Sequence, residues 1–116
     1  MKPIKLNDSR CSERISVNRT VEINNGSHPI SMKMVNISNC GLGVLGSKVF
    51  QNGEILKLEF SLPGYEHNSK ISLNAQVVHS TKVNKNFLIG LSFQELTPHE
   101  QLVIKEFSNF HKRFDA

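Results

Sequence analysis

From Ile15 onward the chain alternates apolar and polar residues with a period of two. Ile15, Val17, Val21 and Ile23 fall on one side of an extended segment, the pattern of a strand with one buried face. Arg19 lies on that same side, so either the register shifts there or its head reaches the rim. Asn24-Asn25-Gly26 ends the segment as a turn. A second strand is predicted over residues 30–37, with Ile30, Met32 and Met34 on one face and Val35 and Ile37 on the other. The glycine-rich stretch 41–46 contains a short third strand, and Gln51-Asn52-Gly53 turns the chain again. Leu56, Leu58 and Phe60 then alternate with Lys57 and Glu59 until Pro63-Gly64 stops the run. Residues 70–79 follow, with Ile71, Leu73, Ala75 and Val77 facing inward. In a last strand over 86–94, Phe87, Ile89, Leu91 and Phe93 share one side.

The period then changes. Thr97 is a good N-cap, Pro98 suits the first helical position, and Glu100 completes a capping box with Thr97. Leu102, Val103, Phe107 and Phe110 recur at helical spacing, which predicts a helix over 98–113 whose apolar stripe packs on an open side or end of the sheet. Residues 1–13 are polar, carry Pro3 and show no sustained period, so they read as a flexible N-terminal arm. Residues 14–116 read as one domain: an all-β, six-stranded antiparallel barrel with a C-terminal helix.

With 116 residues, 38% of them hydrophobic and 21% charged, the chain has material for one core and is not of disordered composition. No apolar run approaches the roughly 18–20 residues that span a bilayer, which excludes helical membrane insertion. The basic start has no apolar stretch after it, so a cytoplasmic location is expected. Cys11 and Cys40 form no CxxC or zinc pattern, and free thiols are expected of them. The five histidines are scattered, which gives no metal site. The net charge of +4 favours an anionic partner but fits nucleic acid, a lipid headgroup or a small phosphate ligand equally.

Two short patterns carry chemistry. Arg10 and Arg14 stand four apart where the arm meets the first strand. A guanidinium matches phosphate oxygens and the O6/N7 edge of guanine, and it stacks on purine faces. Asn36, Ser38 and Gly41 form an Asn-x-Ser-x-x-Gly segment at the end of the second strand. Asn36 and Ser38 alternate with Ile37 and so share a face in an extended strand, while Gly41 permits a positive φ or a close backbone approach. Taken singly, each pattern is also what a solvated charge pair and a polar strand ending in a turn would show.

In this order and context the two patterns resemble the PilZ domain family, whose signature is RxxxR on an N-terminal loop and [D/N]xSxxG on a barrel strand. The resemblance runs from Arg10 to the final helix and takes in Gly41-Leu42-Gly43, Leu62-Pro63-Gly64 and Ile89-Gly90-Leu91-Ser92-Phe93. It implies a receptor for cyclic di-GMP rather than an enzyme. Arg10 and Arg14 would contact guanine edges and phosphates, while Asn36, Ser38 and Gly41 would lie under the ligand. Asn36 stands where aspartate is commoner, which makes the site less negative. An arm that orders around the ligand and a downstream protein partner are the expected means of signalling. Two other functions compete: a PilZ-like structural adaptor in pilus or motility assemblies that binds no nucleotide, and a small-barrel nucleic-acid binder. Intact arginines argue against the first. One Tyr, no Trp and phenylalanines at core positions argue against the second.

Residues 41–46 also spell GxGxxG, the dinucleotide fingerprint. That fingerprint needs a helix next, whereas the chain runs into the 51–53 turn and another strand. No paired carboxylates or nucleophile–base spacing point to catalysis.

Overall fold

A computed structural model describes residues 14–26, 28–63 and 68–115, and the side chains of the same residues except 68–69 and 110–115. The arm, with Arg10 and Cys11, lies outside the described residues. Six strands, β1 (Ile15–Asn24), β2 (Pro29–Ile37), β3 (Gly41–Gly46), β4 (Ile55–Pro63), β5 (Asn68–Val83) and β6 (Asn86–Phe93), are followed by one helix, α1 (Pro98–Asp115). The strands close a barrel in the order β1-β2-β3-β6-β5-β4, every neighbouring pair antiparallel. Each three-stranded meander supplies half the wall, and closure at β3–β6 and β1–β4 leaves no open sheet edge.

The alternation read from the sequence becomes the barrel interior. Val21, Ile23, Leu58, Leu73, Ala75, Ile89 and Leu91 are buried, with Lys57 and Asn74 turned outward between them. α1 packs against β4 and β1. Its start is the expected capping box: Thr97 N donates to Glu100 Oε1 at 3.0 Å, and Glu100 N donates to Thr97 Oγ1 at 3.1 Å.

Several details differ from the sequence expectation, and most trace to β-bulges. In β1 the register shifts between Ser16 and Arg19, and Arg19 is half-buried with its Nε donating to Ser61 O at 2.9 Å. In β2 the register against β3 shifts between Met34 and Asn36, so Ile37 joins Met32 and Met34 in the interior instead of facing away. β5 shifts between Val77 and His79 and continues four residues past its predicted end. On α1 the stripe is Val103, Ile104, Phe107 and Ser108, whereas Leu102 is exposed. Each residue turns about 100° around the helix, so Leu102 and Ile104 lie about 200° apart, and a stripe that takes Val103 and Ile104 leaves Leu102 on the outer side.

Candidate ligand site on the barrel wall

Asn36 is the last polar position of β2 before the chain leaves the strand. The bulge between Met34 and Asn36 leaves Val35 and Asn36 half-buried on the wall while Met34 and Ile37 point inward. Ser16 of β1 stands on one side of Asn36 and Gly43 of β3 on the other. Arg14, immediately before β1, is exposed, and its Nη1 donates to Asn36 Oδ1 at 2.6 Å. The guanidinium is thereby held against the outer wall, with its other donors available to an anion or a base edge.

Ser38 has a different position from the one its spacing suggests. β2 ends at Ile37, and Ser38 is buried in the turn that leads to β3. Its backbone N donates to Gly41 O at 2.8 Å, and its Oγ accepts from Cys40 N at 3.1 Å. The hydroxyl therefore shapes the turn. Phe93 N donates to Cys40 O at 2.9 Å, which ties the same turn to β6.

Gly41 has no positive φ; among the described residues only Gly26, Gly53 and Asn84 do. What it supplies is close approach: a Cβ there would collide with the backbone carbonyl of Leu91 on β6. Gly43 is required by a different neighbour, since a Cβ there would meet the carboxamide of Asn36. The GxGxxG spacing thus reflects strand contacts, the third glycine, Gly46, lying against Met32.

Of the five expected site residues, four are described. Arg14 and Asn36 are brought together on the surface, Ser38 and Gly41 build the turn beside them, and Arg10 lies outside the described residues. Ser16 and Gly43 were not anticipated. Counting the β1–β2 hairpin back from its turn, where Asn24 pairs with Pro29, would set Val17 opposite Asn36; the bulge sets Ser16 there instead. Cys40 is disulfide-bonded, so the expected free thiol is not found at that position. Beyond the turn, a cavity of about 460 Å³ separates it from α1, lined among others by Asn39, Cys40, Ser92, Lys105 and Ser108.

A closed six-stranded barrel with a terminal helix carries an arginine against an Asn-x-Ser-x-x-Gly segment on its outer wall, which defines a small β-barrel with a charged and polar external site. The PilZ domain model matches residues 8–110, and the chain belongs to the PilZ domain family. Among solved structures it is similar to the Bacillus subtilis inhibitor of motility MotI/DgrA, at 24% identity and a TM-score of 0.77, over 86% of this chain and 50% of that one. It is also similar to the PilZ domain of Escherichia coli YcgR with c-di-GMP, at 15% identity and a TM-score of 0.72, over 89% and 91% of the two chains. A third is Borreliella burgdorferi PlzA in complex with c-di-GMP, at 13% identity and a TM-score of 0.61, over 89% and 52%. These likenesses establish the fold, and the chain spans about half the length of MotI/DgrA and PlzA. No curated protein matches it in sequence. Among the described residues no helix is long and apolar enough to cross a membrane.

Proposed function

We propose that this chain is a cyclic di-GMP receptor that binds the dinucleotide on the barrel wall at Arg14 and Asn36 and acts by contact rather than catalysis. The observation that carries the reading is the bond from Arg14 Nη1 to Asn36 Oδ1, which joins the two sequence patterns at one point of the surface. Arg14 supplies a permanent charge and a planar fork for phosphate or guanine, and Asn36 supplies a donor and an acceptor for a base edge. Gly43 leaves room for that carboxamide, and the Ser38–Gly41 turn gives the ligand a rigid floor. Arg10, four residues earlier, is the second guanidinium of the site. The solved complexes of YcgR and PlzA with c-di-GMP on the same fold support the choice of ligand.

The signal then passes to a protein partner, in keeping with a cytoplasmic adaptor. Ligand contact orders the arginine segment, and the turn's bond to Phe93 connects it to β6, which leads into α1. Calorimetry with cyclic di-GMP on the intact chain and on Arg14→Ala is the test. A hydrogen bond to a charged group contributes about 1.5–3 kcal/mol, so Arg14→Ala is expected to weaken binding by roughly one to two decades. Absence of binding to the unsubstituted chain would overturn the reading.

A further inference from the structure

Gly43 of β3 and Gly90 of β6 stand directly opposite one another on the barrel wall. Each lies under a side chain from its other neighbouring strand: Asn36 of β2 pairs with Gly43, and His79 of β5 pairs with Gly90. A Cβ at Gly90 would stand 2.7 Å from both Cε1 and Nε2 of the His79 imidazole, just as one at Gly43 would meet the Asn36 carboxamide. The ring and the carboxamide thus lean toward each other over two bare glycines. Neighbouring strands lie roughly 4.7–4.9 Å apart, so the two groups are about one strand spacing from each other. We propose that His79 belongs to the ligand site and is the surface on which one guanine of cyclic di-GMP stacks. The inference rests on the cyclic di-GMP reading above and adds a recognition residue to that same site.

The bulges of the barrel support the assignment. Register shifts occur in β1 between Ser16 and Arg19, in β2 between Met34 and Asn36, and in β5 between Val77 and His79. All three adjoin one row of directly opposed residues: Ser16, Asn36, Gly43, Gly90 and His79. In β5, counting on from the Val77–Leu91 pair would set Val78 opposite Gly90, and the shift sets His79 there instead. Bulges re-aim side chains beside functional sites, and here they bring a carboxamide and an imidazole to one patch.

The glycines point the same way. Glycine weakens a strand, and inside one it marks a place where another group approaches closely. A facing pair of glycines also forfeits the cross-strand side-chain contact that stabilises a sheet. A histidine that meets only solvent needs no glycine across from it. His79 is exposed, so its ring is accessible from outside the wall. An imidazole is a flat aromatic surface, and stacking on such a ring is a general way of holding an unpaired base. Arg14 and Asn36 then bond to phosphates and base edges, and His79 takes a base face.

The test titrates the intact chain, His79→Ala and His79→Phe with cyclic di-GMP by calorimetry, and follows the histidine Hε1 resonances by NMR. His79→Ala is expected to weaken binding about tenfold. His79→Phe keeps an aromatic surface and should stay within about threefold of the parent. The Hε1 resonance that His79→Ala removes should move upfield when the parent is saturated with cyclic di-GMP, under the ring current of the stacked base. Parent-like affinity of His79→Ala, a loss in His79→Phe as large as in His79→Ala, or an unmoved resonance at saturation would each overturn the stacking role while cyclic di-GMP binding stands. If the unsubstituted chain does not bind the nucleotide, the receptor reading and the His79 assignment fall together, and the two failures are thus told apart.

Discussion

The carboxamide of Asn36 lies against the bare Cα of Gly43 on the neighbouring strand: a methyl group placed there would stand 2.9 Å from Asn36 Nδ2 and 3.0 Å from Oδ1. Oδ1 is the atom that accepts from Arg14, so the missing side chain at 43 determines where the arginine is held. Gly43→Ala should push the carboxamide aside and weaken cyclic di-GMP binding by about tenfold, the loss of one charge-assisted bond. The Asn36 side chain can rotate away, and alanine restricts the unfolded chain more than glycine, so the stability change should stay within about 1 kcal/mol. A titration and a denaturant curve on the same protein check both halves; unchanged affinity would show that Asn36 is not held by this contact.

Gly41→Ala should behave in the opposite way. The obstacle there is the Leu91 carbonyl, with Leu91 C at 3.1 Å and Ser92 Cα at 3.2 Å, all backbone of the paired strand. No rotamer relieves that overlap, and the β3–β6 seam that closes the barrel has to open. The expected cost is about 3 kcal/mol or more, a fall of well over 10 °C in the melting temperature for a chain of this size. Differential scanning calorimetry decides this. A melting temperature within about 2 °C of the parent would mean that the seam yields more easily than close packing implies.

These two glycines also show where sequence reasoning stops. Period-two alternation made the strands of the barrel legible, because burying one face requires it, and the Thr97–Glu100 box located the helix start. The partners across the strands were not legible. Register at Asn36 depends on bulges in β1 and β2, and a bulge inserts one residue without a composition that announces it. Ser38 illustrates the consequence. Spacing put its hydroxyl beside Asn36, but the strand ends one residue earlier, and the turn takes both the side chain and its hydrogen bond. Leu102 was misplaced for a related reason, since adjacent apolar residues on a helix do not reveal which one faces the core.

The capping box allows stability to be separated from binding. Thr97 and Glu100 satisfy one another's backbone N–H groups at the start of α1, on a different element from Arg14 and Asn36. Thr97→Ala should cost about 1 kcal/mol. Its affinity for cyclic di-GMP, measured well below the melting temperature, should match that of the parent. A loss of affinity comparable to that of Arg14→Ala would place the helix start in the ligand site and contradict a site confined to the wall at Arg14 and Asn36.

Arg14→Lys separates charge from shape. Lysine keeps the positive charge, and its flexible stem reaches as far, but its ammonium is a point donor without the planar fork that pairs with two acceptors at once. If Arg14 served only to attract an anion, the substitution would be nearly silent. Its position argues otherwise: one donor of the guanidinium is already committed to Asn36, which leaves the rest of the planar fork to pair with two acceptors of a ligand. A lysine bonded to Asn36 offers no such second edge in a fixed plane. The expected loss is therefore close to that of alanine, about tenfold or more, with little change in how affinity falls as salt is raised, because the charge is unaltered. Binding within about twofold of the parent would assign Arg14 a purely electrostatic role and move the recognition of guanine to other residues.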